Sequence, residues 1–366
     1  MHLLDTPLQD SRALRRAALD WRQHHPDQGW LQVADALAVP AGRLVAAHAG
    51  IHPGEPGDWR VVRLEPLCGH AWARWLECGP GQLTWHAGPL VWRQTDALGW
   101  RGDVDAGTLD AGGRVRLQLA GCDAVQVFAC RQRYGADAAW RLMASDQSGH
   151  LLWHWALGQG AHLDHFGSFL ARHASHSLDA GLWGRGGAAS VSAAPLPATP
   201  PLRDAWLSTR ELADGLTLQQ RWGLQRLELL ECMDSRLAQA LDPVHLTACL
   251  SQAALDALPL HLELTSLAGS LHLSADLRAT RREADPLAAL ELAAGEWRLP
   301  AGSIGQAWWV RHPTRRGVQH LLELFDQDGG LMLRLGLGEG QGRLEHCRWQ
   351  ALLAQVADVD LACPTL

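Results

Sequence analysis

The sequence contains no lysine, so all 32 of its basic residues are arginines, and it has one tyrosine, four phenylalanines and four methionines. The net charge is −7, so the chain lacks the overall positive field typical of nucleic-acid-binding proteins. No apolar run reaches the roughly 18 residues of a membrane span, and the opening stretch MHLLDTPLQDSRALRR lacks the apolar segment of a secretory signal. We therefore expect a cytoplasmic globular protein without nucleic-acid partners or membrane insertion.

Common catalytic and metal-binding motifs are absent as well. The sequence has no GxSxG, no Walker-type phosphate loop, no HExxH and no CxxC. Its eight cysteines show no zinc-site spacing, and in a reducing compartment we expect them to be buried, inert thiols. The stretch GLGEGQG at 336–342 superficially matches a nucleotide-binding pattern, but no βαβ pattern follows it, and we interpret it as a loop.

Tryptophan is the residue in excess, with 18 copies. Each tryptophan carries a large apolar area and one N–H group that needs a partner when buried. One interpretation is that tryptophan fills core positions usually shared among the aromatic residues. The other is a pocket rich in indole rings that binds a flat ligand.

A long internal repeat is the strongest pattern in the sequence. Residues 126–158 and 306–338 align without a gap at an offset of 180, and they share an Asp-Gln-x-Gly turn at Asp146 and Asp326. Further upstream, LTWHAGPLVW from Leu83 matches LTSLAGSLHL from Leu264 at an offset of 181. A fixed long period indicates one supersecondary unit used twice, so the chain is a tandem duplication.

Hydrophobic periodicity gives both halves the same order of elements. Helical spacing covers 8–48 and 162–177 in the first half and about 205–256 and 342–357 in the second, whereas alternating strand patterns cover 59–155 and about 260–337. The fold class predicted is α+β: a tandem duplication of a helices-plus-antiparallel-sheet unit, with the two sheets packed together. The predicted division is 1–183 for the first repeat, 184–203 for a Gly/Ala/Pro-rich linker and 204–366 for the second repeat.

One segment carries a family resemblance. AWWVRHPTRRGVQHLLELFDQD, at 307–328, closely resembles the WVVRKPT…SLELFDADG segment of the bacterial HemS/HmuS haemin-degrading and haem-trafficking proteins. ALAVPAGRLVAAHAG near the N-terminus and the segment 141–157 are also similar to that family. The resemblance implies two sheet-plus-helices halves with haem bound between them.

The haem-contacting residues of that family match less well. The resemblance places the axial histidine seven residues after Trp206, at Ala213, and alanine cannot ligate iron. It places a haem-contacting arginine at Arg226, which matches, and a lysine near Arg278. The family's IDLR motif reads VRLQ at 115–118, so we expect the cation of that motif to be lost.

Histidines are the possible substitutes for the missing ligand. His272 is on a strand that the resemblance places at the cleft, and His86 is at the related position in the first half, so both are candidate haem contacts. His312 is expected to be a surface turn residue. The helical histidines 162, 165, 173 and 176 are expected to face water or to cap carbonyl groups.

The function implied is cytoplasmic haem binding or trafficking in bacterial haem-iron uptake, with haem donor or acceptor proteins as partners. In this interpretation Arg226 and Arg278 pair with the haem propionates, and the iron ligand is unknown. Haem degradation is uncertain, and the alanine at the ligand position predicts weak or absent turnover. Two alternatives stay open: a non-enzymatic binding or scaffold protein that has lost haem ligation, and a binder of another planar or anionic ligand.

Overall fold

Each half of the molecule begins with helices that cover one part of a sheet. The computed structural model describes residues 11–50, 60–65, 67, 69–94, 100–103, 107–119, 125–134, 137–158, 160–175, 200–212, 214–279, 290–292, 295–300, 302–338 and 340–357. The first half opens with α1 (Ser11–His24), α2 (Trp30–Ala36) and α3 (Ala41–Ala47). Leu14 and Ala18 lie one turn apart on α1 and are both buried, as the helical periodicity predicts.

The rest of the first half consists of strands and two further helices. In chain order these are β1 (Arg60–Leu64), α4 (Gly69–Leu76), β2 (Gly81–Ala87), β3 (Leu90–Gln94), β4 (Trp100–Asp103), β5 (Thr108–Ala111), β6 (Val115–Leu119), β7 (Gln126–Tyr134), β8 (Asp137–Ser145), β9 (Leu151–Leu157) and α5 (Leu163–His173). The prediction that the whole of 59–155 forms strands was wrong at α4, which is a helix.

The second half repeats this order. It contains α6 (Pro200–Leu207), α7 (Asp214–Trp222), α8 (Arg226–Glu231), β10 (Ala238–Leu241), a 3₁₀ turn (Pro243–His245), α9 (Leu246–Leu255), β11 (Pro259–Ser266), β12 (Gly269–Ala279), β13 (Leu290–Leu292), β14 (Gly295–Arg298), β15 (Gln306–Thr314), β16 (Gly317–Phe325), β17 (Leu331–Leu337) and α10 (Arg343–Val356). Residues 184–199 of the predicted linker lie outside the described residues. Its last four residues form the first turn of α6, where proline is tolerated.

The strands form two antiparallel sheets, which are joined where the end of β12 pairs with β13, and each sheet contains strands from both halves. One runs in the order β1–β7–β8–β9–β2–β3–β14–β13, where β14 and β13 come from the second half. The other runs β10–β15–β16–β17–β11–β12–β6–β5–β4, where β6, β5 and β4 come from the first half. Each half therefore completes the sheet of the other through backbone hydrogen bonds. The predicted α+β duplication with two antiparallel sheets is confirmed.

The repeated turn is built in the same way in both halves. Asp146 Oδ1 accepts hydrogen bonds from the backbone N–H groups of Ser148 and His150, each at 2.8 Å. Asp326 Oδ1 accepts from Asp328 at 3.0 Å and from Gly330 at 2.7 Å. The glycines of the two turns, at 149 and 329, have φ values of 89° and 82°, which only glycine adopts readily.

The upstream repeat is shifted by two residues relative to the sequence match. In the first half Gly81 pairs with Leu157, and in the second half Leu260 pairs with Leu337. Leu157 and Leu337 are 180 residues apart, whereas Gly81 and Leu260 are 179 residues apart. The sequence match had suggested an offset of 181. A shift of two residues keeps every side chain on the same face of its strand, so the alternating pattern alone cannot detect it.

Two rows of apolar side chains fill the core between the sheets. One is a row of tryptophans that lie directly opposite one another on four neighbouring strands: Trp153, Trp85, Trp92 and Trp297. The other is a row of leucines across six strands: Leu324, Leu333, Leu264, Leu271, Leu117 and Leu109. All ten side chains are buried in one cluster. Cross-strand pairs of this kind are the main unit of sheet stabilisation. The first interpretation of the tryptophan excess, core packing, is therefore confirmed for these four residues.

The predicted burial of the cysteines holds for most, but not all, of those that the structure describes. Cys78, Cys130, Cys232 and Cys249 are buried, as expected, but Cys347 is exposed on α10, so that expectation was wrong there. Cys68, Cys122 and Cys363 lie outside the described residues. Among the helices that the structure describes, none combines the length and apolar character needed to cross a bilayer.

Candidate functional site

A cleft of about 770 Å³ opens beside strands contributed by both halves. Its walls come from β6 of the first half, from β11, β12, β16 and β17 of the second, and from Leu212 just before α7. Leu212 and Leu321 contribute apolar side chains to the cleft, whereas Val115, Leu260 and Leu337 line it from strand positions whose side chains project toward the core. Such a volume is within the roughly 300–1,000 Å³ of small-molecule sites.

A row of polar and charged side chains crosses this part of the sheet. Each member lies directly opposite the next on the neighbouring strand, in the order Glu323, Arg334, Glu263, His272, Arg116 and Asp110. Because side chains alternate between the two faces of a strand, the shared register puts all six on the face opposite to the leucine row. The row runs from the second half into the first, and all its members except the buried Glu323 line the cleft.

The inner end of the row is a buried ion-pair network. Arg226 donates two hydrogen bonds to Glu323, at 2.7 and 2.8 Å, and Arg334 donates to Glu323 at 2.9 Å and to Glu263 at 2.6 Å. Glu323 is 0% exposed and Arg226 is 7% exposed. Burial alone would raise the pKa of Glu323, but the two guanidinium groups outweigh it and lower that pKa to about 2. Burial would lower the pKa of Arg334, and its two carboxylate partners instead raise it.

The first turn of α8 positions Arg226 at this network. The Gln225 N–H donates to the Glu228 carboxylate at 2.7 Å, which fixes the helix start. The Arg226 guanidinium carbon lies 5.2 Å from the centre of the Trp206 ring. A Cβ atom at Gly215 would lie 3.2 Å from Arg226 Nη1, so glycine lets α7 approach this close. Arg226 is therefore committed to the protein interior and is not among the residues that line the cleft.

His312 belongs to the same buried region, so its expected place in a surface turn was wrong. It is 1% exposed, and its ring lies 4.9 Å from that of Trp206. Burial, followed by the charge of Arg226, lowers the pKa of His312 to about 4. Proline at 313 and the basic residues after it resemble a surface turn in sequence, which concealed the inward orientation of this side chain.

His272 lines the cleft and forms part of a chain of four side chains. Its Nδ1 lies 3.4 Å from Nε2 of His261, and its Nε2 lies 2.9 Å from Ser270 Oγ. His261 Nδ1 in turn lies 3.3 Å from Ser274 Oγ. Burial is the main cause that lowers the pKa of His272. His261 was not among the predicted site residues, although it alternates with Leu260 and Leu262, whose side chains face the core, and therefore faces the cleft.

The structure describes the other predicted site residues, His86, Arg278 and Ala213, to different extents. His86 lies on β2 beside His154 of β9, with ring centres 5.7 Å apart, and neither lines the cleft. Burial lowers the pKa of His86 to about 4, and burial, followed by the charges of His86, Arg141 and Arg93, lowers the pKa of His154 well below its ordinary value. Arg278 pairs with Glu291 in the backbone register of β12 and β13, but the structure does not describe its side chain. Ala213 lies outside the described residues.

The family's motif arginine is replaced in β6, but a neighbouring cation lies on the same face of the strand. Gln118 occupies the position of the family's arginine, but Arg116 precedes it by two residues, so both side chains project from the same face. Both line the cleft, together with Arg114. Arg116 is 65% exposed, and its Nε lies 4.0 Å from Asp110. The cation has thus moved along the strand by two residues.

Among the side chains that the structure describes, no group of three or more His, Cys, Asp or Glu residues could hold a bare metal ion. Of the helical histidines, His162 and His165 are exposed, as expected, and His165 Nδ1 lies 3.1 Å from the carbonyl oxygen of Glu77. The expectation was wrong for His173, which is half-buried with its ring 4.9 Å from that of Phe169. His176 lies outside the described residues. The described wall of the cleft therefore combines two imidazoles, several charged side chains and a few apolar ones.

Comparison with known proteins agrees with this architecture. The family model of the haemin-degrading HemS.ChuX domain matches residues 223–356. Among solved structures, apo-PhuS, a heme-binding protein from Pseudomonas aeruginosa, is 21% identical with a TM-score of 0.74, and the match covers 95% of this chain and 99% of that one. ChuS, the heme degrading enzyme of Escherichia coli O157:H7, is 16% identical with a TM-score of 0.70, covering 95% and 99%. No curated protein sequence matches the chain.

At these identities the two structures establish the fold, which is an internally duplicated α+β fold shared over nearly the full length of each chain. The HemS.ChuX domain lies in the second half, which supplies most of the cleft wall. The match to the HemS.ChuX family model covers this part of the chain, and the likeness to PhuS and ChuS extends the shared fold to nearly the whole chain.

Proposed function

We propose that this protein binds haem in the cleft as cargo and serves as a carrier in haem uptake. The observation that carries the proposal is the composition of the cleft wall, which brings two imidazoles together with three arginines, Arg114, Arg116 and Arg334, and the apolar side chains of Leu212 and Leu321. Haem requires these three elements: apolar walls for the ring, a ligand for iron, and cations for the propionates. PhuS and ChuS, which share the fold, are described as heme-binding and heme degrading.

Arg114 and Arg116 are the proposed partners of the propionates. Both project from the first half at the edge of the cleft, where carboxylates attached to a buried ring would reach water. Arg226 is assigned a different role, because it already donates two hydrogen bonds to Glu323. It supports the cleft wall through the ion-pair network. Arg278 remains a candidate by resemblance only.

Haemin titration of the full-length protein tests the proposal. A saturable shift of the Soret band with micromolar or tighter affinity is expected. Arg116→Ala should weaken binding by about 1.5 kcal/mol, the lower end of the range for a hydrogen bond to a charged group, because the site is exposed. Arg74→Ala removes an arginine that is exposed elsewhere on the surface and serves as the matched control. Absence of any Soret shift in the wild-type protein would contradict the proposal.

Haem degradation is expected to be slow or absent. The position that corresponds to the family's axial histidine is Ala213, so the ligand geometry of a degrading enzyme is not reproduced in the sequence. Reductant added to the haemin complex should leave the Soret band largely intact over hours. Rapid bleaching with release of iron would show that the protein is an enzyme and not only a carrier.

The second candidate is a binding or scaffold protein that keeps the fold without haem. Ala213 favours it, and so does the buried network, because Arg226 and Arg334 are already neutralised by Glu323 and Glu263. This candidate predicts no Soret shift and no stabilisation by haemin in thermal unfolding. The two functions are therefore separated by one titration.

A further inference from the structure

A second cavity, of about 420 Å³, lies between the β15–β16 hairpin and the start of α10. We call it the α10 pocket. Gln319 and His320 line it from β16, Gln341 lines it from the loop before α10, and His346 and Trp349 line it from α10 itself. This volume is sufficient for a small organic ligand.

The internal repeat gives a reference for this pocket. The offset of 180 residues continues past β9 and β17, because α5 begins at 163 and α10 at 343, and the glycines before them, at 160 and 340, have φ values of 87° and 80°. His320 and His346 therefore correspond to Trp140 and Phe166 of the first half. There the indole and phenyl rings pack against each other with centres 4.8 Å apart. The second half has two smaller rings at these positions, and the pocket lies beside them.

Two tryptophans hold His320 in one orientation. Trp309 Nε1 donates to His320 Nδ1 at 3.0 Å, and Trp349 Nε1 donates to the His320 carbonyl oxygen at 2.8 Å. Burial is the main cause that lowers the pKa of His320 to about 4, so the ring is neutral at pH 7 and, with Nδ1 as acceptor, carries its proton on Nε2. Among the described residues, nothing accepts a hydrogen bond from this N–H. The first half has Ala129 and Phe169 at the corresponding positions, and neither has a side-chain N–H group.

The charges around the pocket favour an anion. None of the described residues that line it is acidic, whereas Asp110 and Glu263 line the cleft. The exposed Arg316 lines the pocket, and the positive charge of Arg311 acts on the ring of His320. A carboxylate is the common biological anion that accepts hydrogen bonds from a ring N–H and from amide groups at once.

The apolar part of the lining suits the body of such an acid. Val318 lies two residues before His320 on the same face of β16 and is 52% exposed. Trp349 lines the pocket from the side of the helix. A ligand between them would cover an apolar side chain that water now contacts.

The α10 pocket is at the end of the cleft farthest from the proposed propionate partners. β16 and β6 are four steps apart in the sheet, which is roughly 19 Å at about 4.8 Å per step. Both propionates are attached to the same edge of haem, so a haem held at Arg116 does not place a carboxylate at His320. An acid bound at His320 is therefore a second ligand.

We propose that the α10 pocket is a separate binding site for a small apolar carboxylic acid. Its carboxylate accepts a hydrogen bond from His320 Nε2–H, and its apolar body lies against Val318 and Trp349. The site does not depend on haem binding.

The test is a titration of the full-length protein with benzoate, followed by nitrogen-15 NMR of the histidine side chains. Benzoate should shift the His320 and His346 resonances saturably, with a Kd of about 1 mM, as expected for a ligand of this size. Benzamide has the same shape without the charge and should bind at least about 10-fold more weakly. Absence of a saturable shift with benzoate, or equal affinity for benzamide, would overturn the proposal.

The first half supplies the matched variants. His320→Trp and His346→Phe introduce the residues found at the corresponding positions, which should fill the pocket and abolish benzoate binding while the urea midpoint stays unchanged. His320→Gln keeps an N–H donor and should retain affinity within about threefold, read at His346. His245→Ala, on the exposed side of the 3₁₀ turn, should have no effect. Undiminished benzoate binding in both filled variants would contradict the site.

Haemin distinguishes this site from the cleft. With saturating haemin, the Kd for benzoate should change by less than about twofold. Displacement of benzoate by haemin would show that the α10 pocket is part of the haem cleft and would overturn its separate role. If the protein binds benzoate at His320 but does not bind haemin, the proposed function fails and this inference stands.

Discussion

Replacing Glu323 with glutamine tests the buried ion-pair network most directly. The amide removes the negative charge that faces Arg226 and Arg334, while Arg334 keeps its second partner, Glu263. Breaking one member of a buried pair typically costs about 3–5 kcal/mol, because the remaining charge is left uncompensated. The lowered pKa gives an independent value. A fall from 4.5 to about 2 corresponds to roughly 3 kcal/mol of preference for the charged form.

The assay is urea unfolding at pH 7, followed by tryptophan fluorescence. Glu323→Gln should lower the midpoint by an amount equivalent to about 3 kcal/mol at an unchanged slope. Glu77→Gln is the matched control, because Glu77 forms an ion pair with Arg74 in which both side chains are more than half exposed. That substitution should cost less than about 1 kcal/mol. A loss below about 1 kcal/mol in Glu323→Gln would refute the reasoning.

The Glu323→Gln variant should also differ from the wild type in how its free energy of unfolding depends on pH. Because the folded pKa of Glu323 is below its ordinary value of 4.5, its stabilisation is complete above pH 4.5 and is lost as pH falls toward 2. Wild-type stability should therefore decline in this range, and the Glu323→Gln profile should be flatter. Parallel profiles below pH 4.5 would show that the carboxylate does not carry the effect.

Three further predictions concern protonation and the cleft. Burial lowers the pKa values of His86, His312 and His320 to about 4. Unfolding therefore takes up protons between pH 6.5 and 4, and the melting temperature should fall as pH drops through that range. A melting temperature that does not change with pH there would contradict the burial of these side chains. Gln118→Arg introduced into Arg116→Gln should restore haemin affinity, because the two positions share one face of β6; no recovery in the titration would exclude that shared role. Ala213→His should add a helical iron ligand and change the ferric spectrum of the haemin complex, whereas an unchanged spectrum would show that position 213 does not reach the iron.

The sequence predicted the fold well because its strongest signal was a repeat. The gapless match of 126–158 with 306–338 corresponds to three consecutive strands in each half, β7–β9 and β15–β17, with the same aspartate turn. Periodicity also predicted the opening and closing helices. The short helix α4 was not predicted because its eight residues, two of them tryptophans, are too few and too apolar to be distinguished from a buried strand by periodicity.

The exchange of strands between halves could not be predicted from either repeat alone. The pairs β3–β14 and β6–β12 join segments about 150 to 200 residues apart, and local patterns do not encode such partners. For the same reason the charged row was invisible in the sequence, since Glu323, Arg334 and Glu263 become neighbours only through strand register. His272 was predicted at the cleft because a family motif identified its strand, whereas His261 on the partner strand had no such motif.

The interlocked sheets limit the way in which cargo could enter and leave. A carrier built from two separable lobes can admit a ligand by moving them apart. Here the strand wall of the cleft is one continuous ladder of backbone hydrogen bonds that runs from β17 through β11 and β12 into β6. Moving the halves apart would therefore break the hydrogen bonds between β12 and β6. For the same reason, either lobe produced alone would expose bare strand edges at β3 or β12, and such edges promote aggregation.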